Sequence, residues 1–251
     1  MVRDVICTSG PGDKPFEERH SGASIAIVLG GTFQYRTHNG SELMTPGSVL
    51  LGNAGECFEC GHEHAAGDRC IAFTFSPEYF EEIAGDLRFR VPRLPAMRAL
   101  SSIVARASAA LAGESVSWFS WEEFGIRLLG SAIRLGGSGK EPTEARPSAV
   151  ARVTRAVRMI ESNRGADLTL ETLAREARLS RYHFLRTFET LTGVTPHQYS
   201  RRTRLREAAT RLATTKEKVL DIALDCGFGD VSNFNKAFRG EFGVSPRQYR
   251  A

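Results

Sequence analysis

The densest group of side chains able to do chemistry lies in residues 57–70, which read CFECGHEHAAGDRC. Cysteine thiolates and histidine imidazoles suit a tetrahedral zinc or another soft divalent ion. Residues 60, 62 and 64 alternate, so on a β-strand their three side chains face the same way. We expect the turn that follows to bring Cys70 back near His64 on an adjoining strand. The predicted metal ligands are Cys60, His62, His64 and Cys70.

Two other interpretations of residues 57–70 stay open. The polar side chains could line a pocket for an organic effector without any metal. The cysteines could also be reduced thiols that serve as small core residues. Cys57 is a reserve ligand, because alternation points it to the opposite face. Cys7 and Cys226 are expected to be core residues.

The elements that must position these side chains are short strands. Residues 24–29 form an apolar run, residues 32–37 alternate, and residues 48–51 and 69–75 follow turn signals. Several short strands separated by such signals indicate a sandwich or a small barrel. Two helical patterns follow the strands. The first has apolar residues at the 3-4-3-4 spacing of a coiled-coil seam, namely Met97, Leu100, Val104, Ala107 and Leu111. The second begins at a capping box of Ser120 and Glu123, and its apolar face is Trp121, Phe124, Leu128, Ala132 and Leu135.

The C-terminal part of the chain repeats one pattern in residues 173–199 and 222–249. Each copy has the pattern of two helices joined by a tight turn, which is typical of a helix-turn-helix. Thr169 and Asp230 are predicted to cap helices in the two copies. The corresponding pairs are Phe184 with Phe234, Phe188 with Phe238, Gly193 with Gly243, Pro196 with Pro246, and Tyr199 with Tyr249.

Charge divides the chain into two parts. Residues 148–251 carry 19 Lys and Arg against 11 Asp and Glu, whereas residues 1–147 carry 14 against 18. A basic surface gains free energy when it releases the counterions of a polyanion. The asymmetry therefore indicates a polyanion partner for the C-terminal part. One helix between the repeats is predicted to carry Arg201, Arg202, Arg204, Arg206 and Arg211, and we expect Arg201 and Arg202 to contact phosphates.

The second repeat resembles the DNA-binding domain of the AraC/XylS family of bacterial transcription regulators. The residues that carry the resemblance are Ile222-Ala223, Cys226-Gly227-Phe228, Asp230, Ser232, Phe234, Phe238, Gly243, Ser245-Pro246 and Tyr249-Arg250. The resemblance covers residues 148–251 and implies two helix-turn-helix units joined by a long helix, here from about Pro196 to Leu212. It also implies that two recognition helices enter successive major grooves of double-stranded DNA, ~10 base pairs apart.

The candidate base readers follow from the faces of the two recognition helices. Inward phenylalanines leave the opposite faces for the groove, where Arg and Lys can pair with guanine and Asn with adenine. The family reads DNA from equivalent positions. The predicted DNA-binding residues are Arg181, Tyr182, Leu185 and Arg186 in the first helix, and Val231, Ser232, Asn233, Asn235 and Lys236 in the second. Core packing for Leu185 and phosphate contacts for Arg186 and Lys236 are the alternatives.

In many members of that family a cupin-like barrel precedes this domain and acts as the sensor. Residues 1–136 resemble such a barrel, although residues 57–70 differ from the usual cupin pattern of two histidines, a glutamate and a later histidine. The family often dimerises through an equivalent helix pair, so we expect a homodimer through the first helix, the second, or both. The expected fold class is α+β: a cupin-like β-barrel with two helices in residues 1–136, a linker in residues 137–147, and an all-α domain of two helix-turn-helix units in residues 148–251.

These patterns are compatible with three classes of function, which they favour to different degrees. The first is a DNA-binding regulator whose N-terminal domain senses a small molecule or metal; many relatives activate by contacting RNA polymerase. The second is a chemical sensor in which Cys57, Cys60 or Cys70 is modified. The third is a metalloenzyme, which the sequence disfavours because no nucleophile elbow, phosphate loop or catalytic triad pattern occurs.

The sequence contains no signal for a membrane. No stretch approaches the ~20 apolar residues of a spanning helix, and the N-terminus lacks the apolar segment of a signal peptide. We therefore expect a cytoplasmic protein that is not an enzyme, in which the cysteines stay reduced.

Overall fold

A computed structural model of the chain describes residues 1–38, 40–62, 64, 67–113, 120–136, 146–166 and 168–250. The chain divides into two compact units. The first unit contains the β-strands, and the second contains most of the helices. The expected α+β fold class is confirmed.

The first unit contains two antiparallel sheets. The strands of one are β1 (Val2–Cys7), β3 (Ala23–Gly31), β6 (Val49–Gly52), β8 (Asp68–Phe75) and β9 (Arg93–Leu94), in the order β1-β8-β3-β6-β9. The strands of the other are β2 (Glu17–Arg19), β4 (Phe33–Thr37), β5 (Gly40–Met44) and β7 (Cys57–Gly61), in the order β2-β7-β4-β5. Val28 and Leu50 from one sheet share a buried cluster with Tyr35 and Met44 from the other. The two sheets therefore face each other across one core.

The connection between β7 and β8 crosses from one sheet to the other. β7 pairs with β2 and β4, whereas β8 pairs with β1 and β3. The prediction that Cys70 lies on a strand adjoining that of Cys60 and His62 is therefore wrong, whereas its closeness to His64 stays a prediction. A local turn signal indicates that the chain reverses, but it does not specify which sheet the next strand joins.

One helix of the first unit was missed by the sequence prediction. α1 (Pro77–Ala84) begins with Ser76, whose side-chain oxygen accepts a hydrogen bond from the Tyr79 backbone N–H at 3.3 Å. Pro77 occupies the first helical turn. A serine followed by proline and glutamate is a recognisable helix start, so the signal was present.

α2 (Arg98–Ala112) belongs to the second unit. Its Ala105 lies in the same buried cluster as Leu205 and Ala209, which belong to α7 (Pro196–Thr214). The predicted seam residues Leu100, Val104 and Ala107 are buried in the chain. Three of the five predicted seam residues therefore pack inside the chain, and the homodimer through this helix stays a prediction.

α3 (Trp121–Gly136) packs on the five-stranded sheet of the first unit. A Cβ atom on Gly125 would lie 3.0 Å from the Phe73 ring, so the helix backbone approaches the sheet closely. Ser120 accepts a hydrogen bond from the Glu123 backbone N–H at 3.2 Å, as the predicted cap requires. Most of the predicted apolar face is buried, namely Phe124, Leu128 and Ala132. The homodimer through this helix also stays a prediction.

The second unit contains two helix-turn-helix pairs, which confirms the predicted repeat. The remaining helices are α4 (Pro147–Ser162), α5 (Leu170–Glu176), α6 (Arg181–Thr192), α8 (Val219–Asp225), α9 (Val231–Phe242) and α10 (Pro246–Arg250). They belong to the second unit apart from the part of α4 up to Thr154 and the last two residues of α6. The pairs are α5–α6 and α8–α9, and α7 joins them as predicted. Residues 137–145 of the expected linker lie outside the described residues, and Pro147 begins α4.

The tight turn has the same backbone geometry in both copies. The Leu179 N–H donates to the Ala174 carbonyl at 3.0 Å, and the Phe228 N–H donates to the Ala223 carbonyl at 3.0 Å. The residue before each donor has a positive φ: 53° at Arg178 and 79° at Gly227. Glycine adopts this left-handed conformation without a steric penalty, whereas arginine does not. The second copy therefore forms the turn at lower conformational cost.

We predict opposite effects on stability for two substitutions in these turns. Gly227→Ala should lower the free energy of unfolding by about 1–2 kcal/mol or more, because the left-handed region disfavours a Cβ and that atom would lie 2.6 Å from the Gly165 carbonyl oxygen. Arg178→Gly should raise the free energy of unfolding by up to about 1 kcal/mol by relieving strain. Urea denaturation followed by circular dichroism measures both, and an unchanged midpoint for Gly227→Ala would contradict the turn geometry.

Candidate nucleic-acid interface and metal-ligand cluster

A repeated aromatic core orients the two recognition helices. In the first copy the Phe188 ring lies 5.5 Å from Phe184 and 5.8 Å from Tyr199. In the second copy the Phe238 ring lies 5.5 Å from Phe234 and 5.4 Å from Tyr249. All four phenylalanines are fully buried. The opposite faces of α6 and α9 are therefore turned to solvent, as the sequence predicted.

The solvent face of α6 presents a preorganised pair of predicted base readers. Arg181, Tyr182 and Arg186 are exposed, whereas Leu185 is half-buried. The Arg186 guanidinium donates a hydrogen bond to the Tyr182 hydroxyl at 3.0 Å, and it lies 5.8 Å from the centre of that ring. A cation over an aromatic face is attracted by the ring's quadrupole. Tyr182 thus restricts where the guanidinium points.

The solvent-exposed side chains of α9 are polar and include two cations, Lys236 and Arg239. Ser232, Asn233, Asn235 and Lys236 are exposed. Val231 is half-buried and packs against the core that α7, α8 and α9 share. Only part of the Val231 side chain is therefore accessible to solvent.

A cleft of about 720 Å³ lies between the two helix pairs. Leu185 and Asn233 line it from the recognition helices, and His197 and Arg201 line it from α7. Arg201 is exposed at this cleft, so its guanidinium is accessible to a phosphate.

Four of the five arginines predicted for the basic surface of α7 have partners inside the unit. Arg202 pairs with Glu241 at 3.1 Å, and their side chains are 14% and 2% exposed. The other three pairs are Arg204 with the Gly227 carbonyl, Arg206 with Glu161, and Arg211 with Asp225. Only Arg201 of the five is classed as exposed. The expectation that Arg202 contacts phosphates is therefore wrong, because this guanidinium neutralises a buried carboxylate.

Two carboxylates, the half-buried Glu161 and the buried Glu241, connect α7 to its neighbours. One Glu161 oxygen, on α4, accepts hydrogen bonds from Tyr199 at 2.8 Å, Thr203 at 3.1 Å and Arg206 at 2.9 Å. Glu241, on α9, accepts from Arg202 and from Ser101 of α2. Hydrogen bonds to a charged group are stronger than neutral ones. α7 is thus held at both carboxylates by charge-assisted bonds.

The two neighbouring arginines 201 and 202 should respond differently to substitution. Arg201→Ala should leave the free energy of unfolding within about 0.5 kcal/mol of its original value and lower the salt dependence of DNA binding by about one counterion. Arg202→Ala should lower the free energy of unfolding by about 3–5 kcal/mol, because it leaves the Glu241 charge buried without its partner. Denaturation and DNA titration at several salt concentrations separate the two. Equal losses of stability would contradict these assignments.

The chemistry-bearing side chains of the first unit meet around Asp68. The His62 Nε2 lies 2.5 Å from one Asp68 carboxylate oxygen, and the Cys70 thiol donates to the other at 3.3 Å. β1 places Cys7 opposite Asp68 in the sheet register. The possible ligand atoms of Cys7, His62 and Asp68 all lie within 4.8 Å of one another.

This cluster differs from the ligand set that the sequence predicted. Within the described residues, the group close enough to share an ion contains His62 but not Cys60, His64 or Cys70. Cys7, which we expected to be a core residue, is half-buried and belongs to the group. The His64 Nε2 atom is buried and has no hydrogen-bond partner in the described structure. The difference arises because β8 pairs with β1, a contact between distant parts of the chain.

Burial suppresses the reactivity of two of the thiols. Desolvation, with a smaller contribution from the Asp68 charge, raises the pKa of Cys60 to about 12. The same two causes raise the pKa of Cys70. The thiolate is the reactive form of cysteine. The hypothesis of modification at Cys60 or Cys70 is therefore weakened, while Cys57 is half-buried.

We predict that Cys60 and Cys70 resist alkylation in the folded, chelator-treated protein at neutral pH. A pKa raised by about three units lowers the thiolate fraction about a thousandfold, and burial adds a steric barrier. Iodoacetamide labelling followed by peptide mass spectrometry measures each site, with urea-unfolded protein as the control. Labelling of Cys60 at the unfolded rate would contradict the prediction.

A second polar group inside the first unit was missed by the sequence analysis. The His20 Nε2 lies 2.7 Å from the Tyr35 hydroxyl oxygen, and its ring stacks on Phe58 at 4.2 Å. Burial lowers the pKa of His20 to about 4, so the imidazole is neutral at pH 7. An isolated histidine gives no spacing signal, so the sequence offered no means of finding this pair.

The first unit also has an apolar cleft of about 510 Å³. Its walls include Phe73, Phe75, Tyr79, Trp121 and Ile126. The Phe75 and Tyr79 rings are stacked at 6.2 Å and nearly parallel. Small-molecule sites are typically concave and lined with apolar and aromatic side chains.

Comparisons with known proteins agree with the architecture of the second unit. Residues 173–251 match the family described as a helix-turn-helix domain. The chain is 39% identical over 100 residues to the transcriptional activator RhaS of Enterobacter sp. (strain 638), covering 40% of this chain and 36% of RhaS. It is 37% identical over 91 residues to the transcriptional activator AarP of Providencia stuartii, covering 36% of this chain and 67% of AarP.

One similar solved structure is the DNA-binding domain of AdpA in complex with a target DNA. The identity is 32%, the match covers 39% of this chain and 89% of that chain, and the TM-score is 0.38. The region that this chain shares with RhaS spans little more than a third of the length of RhaS.

The fold and the two solvent-facing recognition helices define a double helix-turn-helix DNA-binding domain. The chain belongs to the AraC/XylS family of transcription regulators. Among the helices that the structure describes, none has both the length and the apolar character needed to cross a membrane.

Proposed function

We propose that this protein is a sequence-specific transcription regulator whose N-terminal unit senses a small molecule or a metal. The observation that carries the proposal is the pair of recognition helices, each oriented by the same aromatic core and each presenting polar side chains to solvent. Such a regulator acts on DNA in the cytoplasm and performs no catalysis.

Base readout would come from the exposed faces of α6 and α9. Arg186, held by Tyr182, suits a bidentate contact with guanine. Asn233 and Asn235 suit adenine, and Lys236 suits guanine. Arg181 and Ser232 extend the two faces. Leu185 and Val231 are half-buried, so each would offer only part of its side chain to a thymine methyl group.

Activation is the effect that we propose for DNA binding. RhaS and AarP are both described as transcriptional activators. An activator of this kind would contact RNA polymerase, and a homodimer would occupy two copies of its site.

α2 offers a route by which the sensor could influence DNA binding. In the chain it follows β9 and precedes α3, which both belong to the first unit, but it packs on α7 in the second. An effector that favours one arrangement of the first unit changes the equilibrium by its differential affinity. Because α2 is covalently connected to the first unit, a change in that unit would shift α2. The shift would alter the packing of α2 in the core that it shares with α7, α8 and α9. The apolar cleft bounded by Phe73 and Trp121 is the site that we propose for an organic effector.

Substitution of two predicted base readers tests the DNA-binding proposal. Arg186→Ala and Lys236→Ala should each cost about 1–3 kcal/mol of binding free energy on the preferred site and relax the preference at one base position. The measurement is a fluorescence titration against the preferred site and against single-base variants of it.

Arg127→Ala is a matched control, because it removes one exposed charge from α3 in the first unit. It should leave the DNA affinity and the base preference unchanged. An equal loss of affinity for every sequence in Arg186→Ala would instead assign Arg186 to a phosphate.

A further inference from the structure

We infer that the first unit binds one soft divalent cation, of the zinc class, through Cys7, His62 and Asp68. The three residues come from the end of β1, the segment after β7 and the start of β8. The inference names a metal as the signal for the sensor role proposed above, and any regulatory effect of the metal rests on that proposed role. The binding itself is independent of DNA.

The separation of the three ligand atoms suits one ion. They lie within 4.8 Å of one another. Tetrahedral zinc with bonds of about 2.0–2.3 Å requires ligand atoms roughly 3.3–3.8 Å apart. The His62 Nε2 and the Asp68 oxygen 2.5 Å from it would have to move apart by about 1 Å to reach this spacing. Cys7 is already opposite Asp68 in the adjacent strand, so side-chain rotations suffice to bring its sulfur to the ion.

The surroundings hold two of the ligands in place. The side chains of His62 and Asp68 are 3% and 7% exposed, and the His62 ring stacks on Phe33 at 5.8 Å. The Cys70 thiol donates to the Asp68 oxygen that His62 does not contact. Hydrogen bonds to a ligating carboxylate fix its orientation and are typical of built metal sites.

The chemistry of the cluster selects the class of ion. A thiol, an imidazole and a carboxylate supply sulfur, nitrogen and oxygen ligands, a mixture that zinc accepts and that magnesium and calcium do not. The Asp68 carboxylate is buried beside His62 and accepts a hydrogen bond from the Cys70 thiol, and a divalent ion would add a positive charge that stabilises it further. Three protein ligands also leave one coordination position open, which a water or a signal molecule can occupy.

Cobalt titration tests the site on the untagged full-length protein after removal of metal with a chelator. One Co²⁺ per chain should bind and give a thiolate-to-cobalt charge-transfer band, and Zn²⁺ should displace it. Cys7→Ser should abolish that band. His62→Ala and Asp68→Asn should weaken Co²⁺ binding at least tenfold.

The matched control is Cys57→Ser, because Cys57 lies on β7 but alternates with the inward Phe58 and Cys60. It should bind Co²⁺ like the original protein. Circular dichroism and the urea denaturation midpoint verify that each variant is folded.

Three results would overturn the inference. One is a folded protein that binds no stoichiometric Co²⁺. Another is equal loss of the band in Cys57→Ser. The third is normal binding in Cys7→Ser together with loss in Cys60→Ser and His64→Ala, which would favour the ligands predicted from the sequence.

DNA titration with and without Zn²⁺ tests whether metal binding at this site changes the affinity for DNA. Stoichiometric metal with unchanged DNA affinity supports the site and overturns its part in sensing. A protein that binds metal but no DNA supports the site and contradicts the proposed function.

Discussion

The attachment of α7 to its neighbours is the constraint on which the DNA-binding unit depends. One carboxylate oxygen of Glu161 accepts hydrogen bonds from three donors of α7, and Glu241 accepts one from Arg202. One face of the same helix contributes Leu205, Ala208 and Leu212 to the core of the second helix-turn-helix. Because these contacts fix α7, the two recognition helices have a common scaffold, and their exposed faces can act as one reading surface.

In the first unit, the connection that crosses from β7 to β8 determines which side chains lie close together. It places Phe58 and Cys60 of one sheet across the core from Cys70 of the other. The pairing of β1 with β8 then adds Cys7 to Asp68 and His62. A chemically specialised cluster thus results from three segments that are separated in the chain.

The repeated unit could be predicted from the sequence because its determinants are local. Buried phenylalanines at helical spacing, capping residues such as Asp230, and glycine at the end of α9 each specify structure within a few residues. The orientation of the recognition helices followed from the same spacing. The cupin-like character of the first unit, by contrast, remains a prediction, as do the base readers, the metal and the homodimer.

What the sequence could not reveal are contacts between distant residues. Arginines on α7 looked like a DNA-binding surface, since a charge count does not show that Arg202 neutralises Glu241. Cys7 stands fifty residues and more before the cysteine cluster, and only strand pairing brings it there. The seam of α2 was correctly identified as apolar, but spacing alone did not indicate that Leu100, Val104 and Ala107 are buried within the chain.

The central claim is that one chain reads DNA with two recognition helices on a shared scaffold. Selection of bound sequences from random double-stranded DNA by the purified protein tests it most directly. The account predicts two preferred blocks separated by a fixed distance of about one helical turn, ~10 base pairs, with the Arg186→Ala and Lys236→Ala variants each losing preference in a different block. A single preferred block, or two blocks at variable spacing, would contradict the shared scaffold.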